Sequence, residues 1–157
     1  MKTLIIYASK HGTTGEVAER VSRLIGINKC RVVNIDEEIL PSLSKFDSVI
    51  IGGSIYFGHI QKKIQRFCEI YTEELLQKRV GLFICCMKRQ AERFEFNNAF
   101  PSVLIDHATA KGIFGGEFKF ENLNFVEKLV VRKNIGINKS VRRINAQSIN
   151  HFAILMQ

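Results

Sequence analysis

Short apolar runs alternate with longer amphipathic stretches along most of this chain. The runs fall at residues 3–8, 31–35, 48–53, 79–86 and 112–118. Nearly continuous apolar runs of this length are typical of strands that are buried on both faces of a parallel sheet. The pattern therefore predicts five strands at these positions.

Four further stretches repeat their apolar residues with the 3.6-residue period of an α-helix. These predicted helices cover residues 13–25, 60–77, 98–109 and 146–156. Gly26 follows the first helix, where glycine commonly ends a helix. Pro101 lies near the first turn of the third, whose period is the weakest, and proline is tolerated there. Asn145 takes the N-cap position of the fourth.

Strands that alternate with helices indicate a doubly wound α/β fold, in which right-handed crossovers cover both faces of a parallel sheet. The sequence shows no internal repeat and no low-complexity linker, so we expect a single domain over residues 1–157. Residues 119–144 depart from the regular rhythm, because they are too long for an ordinary connection. Within this basic insertion, the spacing of Leu123, Val126 and Val130 predicts a short helix.

Composition limits the classes of protein that the chain can belong to. Hydrophobic residues make up 46% of the 157 residues, enough for a substantial core. The first residues run directly into an apolar, strand-like segment, so we expect no secretory leader, and no apolar stretch reaches the length of a membrane-spanning helix. We therefore expect a soluble, cytoplasmic protein. Its four cysteines have no metal-ligand spacing, so we expect reduced and mostly buried thiols and no metal site.

The net charge of +8 is concentrated toward the end of the chain, since residues 122–157 hold six Lys or Arg and one Asp or Glu. Such an excess is compatible with a solvated basic surface. It is equally compatible with a docking face for an acidic partner protein, an anionic ligand or an anionic membrane surface. No recognised motif supports binding to nucleic acid.

The segment after the first strand has the chemistry of a phosphate site. Residues 9–14 lead directly into the first helix, whose first N–H groups lack partners and attract anions. Hydroxyl groups of Ser9, Thr13 and Thr14 can donate to phosphate oxygens, and Gly12 lets the backbone curve around them. No carboxylate lies inside this loop.

Four other phosphate chemistries are disfavoured by the sequence. The first loop has neither the P-loop pattern of nucleotide triphosphatases nor the glycine pattern of dinucleotide-binding folds. The third strand ends in Gly52 and Gly53 rather than in a phosphate-accepting aspartate, and no cysteine nucleophile lies in the first loop.

Two other loops should meet at the same edge of the sheet. Residues 53–59 place adjacent aromatic side chains between glycines, which suits the face of a flat ring such as an isoalloxazine. After the fourth strand, Lys88 or Arg89 could stabilise negative charge on a reduced flavin, or could simply be solvated surface charge. The candidate cofactor-binding residues are Ser9, Lys10, His11, Gly12, Thr13, Thr14, Ser54, Ile55, Tyr56, Phe57, Gly58, Met87, Lys88 and Arg89.

Residues 9–14 resemble the phosphate loop of flavodoxins, with His11 where threonine is usual. Residues 53–59 are similar to the second loop of the menaquinone-dependent protoporphyrinogen oxidase branch of that family, and Met1–Ile5 and the helix start at Asn145 are similar to it as well. The resemblance implies noncovalent FMN, a strand order of 2-1-3-4-5 and redox chemistry. In that branch a basic insertion after the fifth strand is associated with membrane and quinone contact, and residues 119–144 are a shorter, less aromatic counterpart.

Three functions are consistent with these features. The first is an electron-transfer protein in which FMN carries the chemistry and a partner reductase docks at the exposed flavin edge, without a catalytic side chain. The second is an FMN-dependent oxidoreductase acting directly on a small molecule such as protoporphyrinogen IX or a quinone, with residues 119–144 as a lid or peripheral membrane contact. The third is a module of the same shape that binds a partner without FMN.

Overall fold

The computed structural model describes residues 1–118, 120–135 and 139–157, and gives only the backbone of Arg89, Phe118, Asn122, Asn134 and Ile135. Five parallel strands form the central sheet in the order β2-β1-β3-β4-β5, which confirms the predicted order. The strands are β1 (Thr3–Ala8), β2 (Cys30–Asn34), β3 (Ser48–Ser54), β4 (Arg79–Cys85), β5 (Ala110–Ile113), β6 (Gly115–Phe118) and β7 (Val141–Ile144). The last two pair antiparallel as a separate two-stranded sheet.

Helices cover both faces of the central sheet. They are α1 (Thr13–Ile25), α2 (Lys62–Ile70), α3 (Thr72–Leu75), α4 (Glu92–Ala99), α5 (Ser102–His107), α6 (Phe125–Ile135) and α7 (Ala146–Met156). In the described part of the chain, every helix is too short or too polar to cross a bilayer.

Alternation along the strands divides the core into two layers. In β1, Leu4 and Ile6 point to the layer that holds α2 to α5, whereas Ile5 points to the layer that holds α1 and α7. Ile5 is in register with Val32 of β2 and Ile50 of β3. All three β1 residues are fully buried, as the continuous apolar runs predicted.

The helix predicted over 60–77 is shorter and divided in the structure. It begins at Lys62 and is interrupted at Tyr71, where φ is −102° and ψ is 13°. Next to the break, the Thr72 hydroxyl donates to the Cys68 carbonyl at 2.6 Å, so a side chain engages a backbone acceptor of the preceding turn.

The helix predicted over 98–109 is present but shorter, as α5, and the helix that precedes it, α4, was not predicted. Two helices, α4 and α5, lie on either side of Pro101, which has no N–H and therefore cannot continue α4. Pro101 instead stands just before the first residue of α5, with φ of −56° and ψ of 136°. The weak apolar period of residues 92–99 provided no signal for α4.

The strand predicted over 112–118 is two strands in the structure. The run breaks at Phe114, and Gly115 has a φ of 75° that turns the chain out of the main sheet. A Cβ at Gly115 would lie 1.7 Å from the Arg143 carbonyl oxygen, so the pairing of β6 with β7 requires glycine at this position.

The region of residues 119–144 is largely folded, although Lys119 and residues 136–138 lie outside the described part. It contains α6, which extends further than the short helix predicted there, and β7. The expected apolar stripe was partly wrong: Leu123 is buried, but Val126 is 65% exposed and Val131 is buried in its place. Leu123 and Val131 pack with Met87, which joins this region to the loop after β4.

The cysteines are free thiols, and only Cys30 among them is more than slightly exposed. Burial raises the pKa of Cys68, Cys85 and Cys86 to about 12. This confirms the expectation of mostly buried thiols.

Candidate functional site

The loop between β1 and α1 presents an open helix start. Gly12 takes the N-cap position with φ of 90°, a conformation that glycine adopts without strain. Because glycine has no side chain, it cannot cap the first N–H groups of α1. The Gly12 N–H itself donates to Ser9 Oγ at 2.9 Å, which holds the loop in its curve. The first turn of α1 is therefore available to an anion.

Two buried polar atoms beside this loop have no hydrogen-bond partner in the described structure. They are Thr14 Oγ1 and His11 Nε2. A buried hydroxyl without a partner is costly, and a ligand oxygen would satisfy it. This observation fits a phosphate at the first loop.

A narrow cavity of about 40 Å³ adjoins the first loop and brings residues of three loops together. Its walls are formed by Ser9, Lys10, His11, Thr13, Thr14, Ser54, Ile55, Tyr56, Cys85, Met87, Gly116 and Glu117. Most of the residues predicted for the phosphate end therefore meet here. Gly116 and Glu117 of β6 were not predicted, since no pattern in the sequence indicates that the chain returns to this edge.

The loop after β3 makes a tight turn with positive backbone angles. Phe57 has φ of 52° and Gly58 has φ of 79°, while Tyr56 and His59 exchange two backbone hydrogen bonds of 2.9 and 3.1 Å. A positive φ is unusual for an aromatic residue and concentrates at functional sites. The turn leaves the Phe57 side chain 55% exposed.

A second cavity, of about 310 Å³, lies between the loops after β3 and β4. It is lined by Ile55, Tyr56, Phe57, Gly58, Cys86, Met87, Lys88, Glu95, Val130 and Val131. We call it the ring cavity. Its volume is at the lower end of the range for small-molecule sites. Helix α6 supplies one wall through Val130 and Val131, so the basic insertion forms part of the site.

An ion pair joins the first loop to α6. Lys10 Nζ lies 2.5 Å from Glu127 Oε1 and 3.8 Å from the centroid of the Tyr56 ring. Glu127 also caps α6: its Oε2 accepts from Asn124 N–H at 3.0 Å, and its own N–H donates to Asn124 Oδ1 at 2.8 Å. The hydrogen bond from Lys10 is the largest cause that lowers the pKa of Glu127 to about 2, so this carboxylate is ionised at neutral pH.

A buried thiol and a buried carboxyl group share the wall of the ring cavity. Cys86 Sγ donates to Glu95 Oε2 at 2.6 Å, and the two residues are 5% and 7% exposed. The loop after β4 thus contributes Cys86 and Met87, while Lys88 is exposed at the rim. The side chain of Arg89 lies outside the described part, so its predicted role stays a prediction.

The N–H and hydroxyl groups of Ser54 are both hydrogen-bonded to Gln61. Its Oγ accepts from Gln61 Nε2 at 2.6 Å, and its N–H donates to Gln61 Oε1 at 3.2 Å.

Three residues at the site were not predicted from the sequence, namely Glu95, Glu127 and Val131. The first lies in the helix that was not predicted, and the other two lie in the insertion, where no residue was assigned to the cofactor.

The basic insertion is only partly free to dock a partner. Arg142 Nη1 pairs with Glu16 Oε2 at 3.2 Å and with Glu117 Oε2 at 3.0 Å. Arg132 packs over the Phe120 ring at 5.3 Å. The Arg142 pairs tie β7 to α1 and β6, whereas the Arg132 contact lies within the insertion itself.

Comparisons with known proteins agree with this architecture. A family model described as "Flavodoxin domain" matches residues 4–143. "Protoporphyrinogen IX dehydrogenase [quinone]" of Escherichia coli strain K12 is 32% identical over 78 residues, which are 48% of this chain and 42% of that protein. The match therefore spans less than half of that relative's length.

Two solved structures show the same fold at low identity. A flavodoxin of Streptococcus pneumoniae TIGR4 superposes with a TM-score of 0.61 at 14% identity, over 99% of this chain and 97% of that one. A flavodoxin of Fusobacterium nucleatum bound to flavin mononucleotide gives a TM-score of 0.50 at 14% identity, over 73% of this chain and 71% of that one.

Proposed function

Because the chain belongs to the flavodoxin family, we propose that it holds FMN at the carboxyl edge of its sheet and passes electrons to a partner reductase. Membership of the family supports FMN as the cofactor. When bound, FMN supplies the electron-transfer chemistry, so the side chains need only bind it and tune it.

The observation that carries the proposal is the buried, unpartnered hydroxyl of Thr14 beside the open start of α1. N–H groups of the first helical turn and this hydroxyl would together hold the phosphate. Lys10, 44% exposed at its side chain, supplies a positive charge at the same place.

The ring cavity would hold the isoalloxazine. Ile55 and Tyr56 on one side and Met87 on the other offer apolar and aromatic surface to a flat ring. The exposed Phe57 stands at the mouth, where a partner protein would approach the ring edge.

Fluorescence quenching of FMN, titrated with the purified protein, tests the site. Thr14→Val keeps the shape of the side chain and removes only the hydroxyl, so we expect it to weaken FMN binding by roughly tenfold. Riboflavin, which has no phosphate, should bind the two proteins equally. Equal FMN affinity of variant and parent would remove Thr14 from the phosphate site.

A second candidate function is a direct FMN-dependent oxidoreductase acting on a small molecule such as protoporphyrinogen IX or a quinone. The specific observation that favours it is the Cys86–Glu95 pair, which places a buried carboxyl group in the wall of the ring cavity. Such a group can exchange a proton with a substrate. The name of the Escherichia coli relative supports the same class of reaction.

Turnover distinguishes the two candidates. FMN-loaded protein is mixed anaerobically with protoporphyrinogen IX and a soluble menaquinone analogue, and porphyrin fluorescence is followed. Turnover that Glu95→Gln abolishes while FMN stays bound would favour the oxidoreductase. No turnover, with rapid electron transfer to cytochrome c after chemical reduction, would favour the carrier.

Helix α6 offers a surface for a peripheral membrane contact. Phe125 and Val126 are 76% and 65% exposed, and Arg132 and Lys133 are exposed on the same helix. Apolar side chains beside cations are typical of surfaces that lie on anionic bilayers. Cosedimentation with phosphatidylglycerol vesicles, compared for the parent and Phe125→Ser, tests this contact: the variant should bind less, and equal binding would count against it.

A further inference from the structure

A third cavity opens beyond the carboxyl end of β5, on the other side of Cys86 and Met87 from the ring cavity. Its volume is about 570 Å³, which is the size of sites that enclose small organic ligands. The lining residues are Cys86, Met87, Glu92, Arg93, Lys111, Gly112, Ile113, Gly115, Arg143, Asn145, Ser148 and His151. We call it the basic cavity.

Basic side chains from four different elements line the basic cavity. Arg93 comes from α4, Lys111 from β5, Arg143 from β7 and His151 from α7. The one acidic residue in its wall is Glu92. Among the described residues, none of the three permanent cations forms an ion pair, unlike Arg142, which precedes Arg143 in sequence. A concave surface with one sign of charge concentrates ions of the opposite sign.

The donor groups suit oxyanions rather than neutral ligands. Arg93 and Arg143 are guanidinium groups, which pair with carboxylate and phosphate through two parallel hydrogen bonds. Ser148, near the start of α7, adds a hydroxyl group to the wall.

We propose that the basic cavity is a binding site for a small molecule carrying two or more carboxylate or phosphate groups. Arg93, Lys111 and Arg143 are exposed, but they surround one concavity rather than a flat face, which favours a small anion over the acidic face of a partner protein. The site is separate from the FMN site, and the proposal stands whether or not FMN binds. Its shared wall with the ring cavity, formed by Cys86 and Met87, places the ligand next to the redox centre.

Isothermal titration of the full chain with citrate and with pyrophosphate, at physiological ionic strength, tests the proposal and distinguishes carboxylate from phosphate ligands. The triple variant Arg93→Gln, Lys111→Gln, Arg143→Gln should bind the preferred anion at least about tenfold more weakly. The matched control is Arg23→Gln, Arg31→Gln, Arg66→Gln, which removes the same charge from exposed positions elsewhere. The control should bind the anion like the parent.

The proposal would be overturned if neither anion binds, whether or not an acidic peptide binds instead. It would also be overturned if both triple variants weaken anion binding equally. FMN absorbance, recorded on each sample, keeps the two proposals apart. Protein that retains FMN but binds neither anion would contradict only the proposal for the basic cavity. Protein that binds an anion through these residues but retains no FMN would defeat the proposed function alone.

Discussion

Lys10 in the first loop and Glu127 in α6 form an ion pair beside the narrow cavity at the first loop. Glu127 is 8% exposed and holds a full negative charge at neutral pH. In the proposed site, a carboxylate in this position would compete with the FMN phosphate for Lys10 and would repel that phosphate. The insertion thus places its own carboxylate, that of Glu127, beside the site proposed for the FMN phosphate.

Glu127→Gln should strengthen FMN binding by roughly tenfold, because it removes this repulsion and frees Lys10. The amide oxygen of glutamine can still accept from Asn124 N–H, so the cap of α6 is retained. Fluorescence titration gives the affinity. Riboflavin is the control ligand, since it lacks the phosphate and should bind parent and variant alike. An equal change for both ligands would mean that Glu127 acts through the shape of α6.

Gly12→Asp should abolish FMN binding, because it places a carboxylate at the N-cap where the phosphate would lie. A Cβ at Gly12 meets no atom within 4 Å, so the change is tolerated sterically, although the φ of 90° strains any side chain. Gly12→Asn is the matched control, since asparagine has the same shape, tolerates this backbone region and is neutral. Thermal melts should show similar stability for the two variants. If both variants lose FMN equally, charge is not the reason.

The cysteines should differ in their reactivity at pH 8. The thiolate is the form that reacts with iodoacetamide, and a pKa of about 12 leaves roughly one part in ten thousand ionised. We therefore expect Cys30, the partly exposed cysteine, to be alkylated first, although partial burial raises its pKa as well. Peptide mass spectrometry of native protein measures this, with unfolded protein as the control that labels all four sites. Rapid native labelling of Cys86 would show that the ring cavity opens to solvent.

Gly52→Ala should destabilise the fold. A Cβ at this position of β3 would lie 2.1 Å from Phe83 Cζ, and the ring has little room because it stacks on Phe114. Overpacking of this kind lowers the free energy of unfolding by about 1–3 kcal/mol. Urea denaturation measures the loss. Adding Phe83→Leu should recover part of it, since the smaller side chain makes room, and losses that simply add would show that the two positions are not in contact.

The sheet could be predicted from the sequence because its strands are buried on both faces. Continuous apolar runs such as the one in β1 leave little choice of structure. The helices around Pro101 could not be placed so well, since α4 buries Phe96 and Ala99 in a segment whose period is weak. The apolar run 112–118 contains Gly115, but only the close approach of Gly115 to Arg143 reveals that the chain leaves the main sheet there.

The candidate site shows a similar division. The first loop and the turn at Phe57 could be recognised because their chemistry is contained in a few consecutive residues. Glu95, Glu127 and Val131 reach the site through tertiary packing of α4 and α6, which leaves no local pattern. The sequence left open whether the basic residues of the insertion form a solvated surface or a docking face, and it gave no sign that Arg142 would be engaged with Glu16 and Glu117.

The visible absorption spectrum of the purified protein, recorded after incubation with FMN and removal of the free cofactor by gel filtration, tests the central claim most directly. We expect the bands of oxidised flavin to remain with the protein and to bleach on chemical reduction. Gly12→Asp protein, treated in parallel, should elute colourless. A colourless parent protein that retains no FMN would contradict both redox functions.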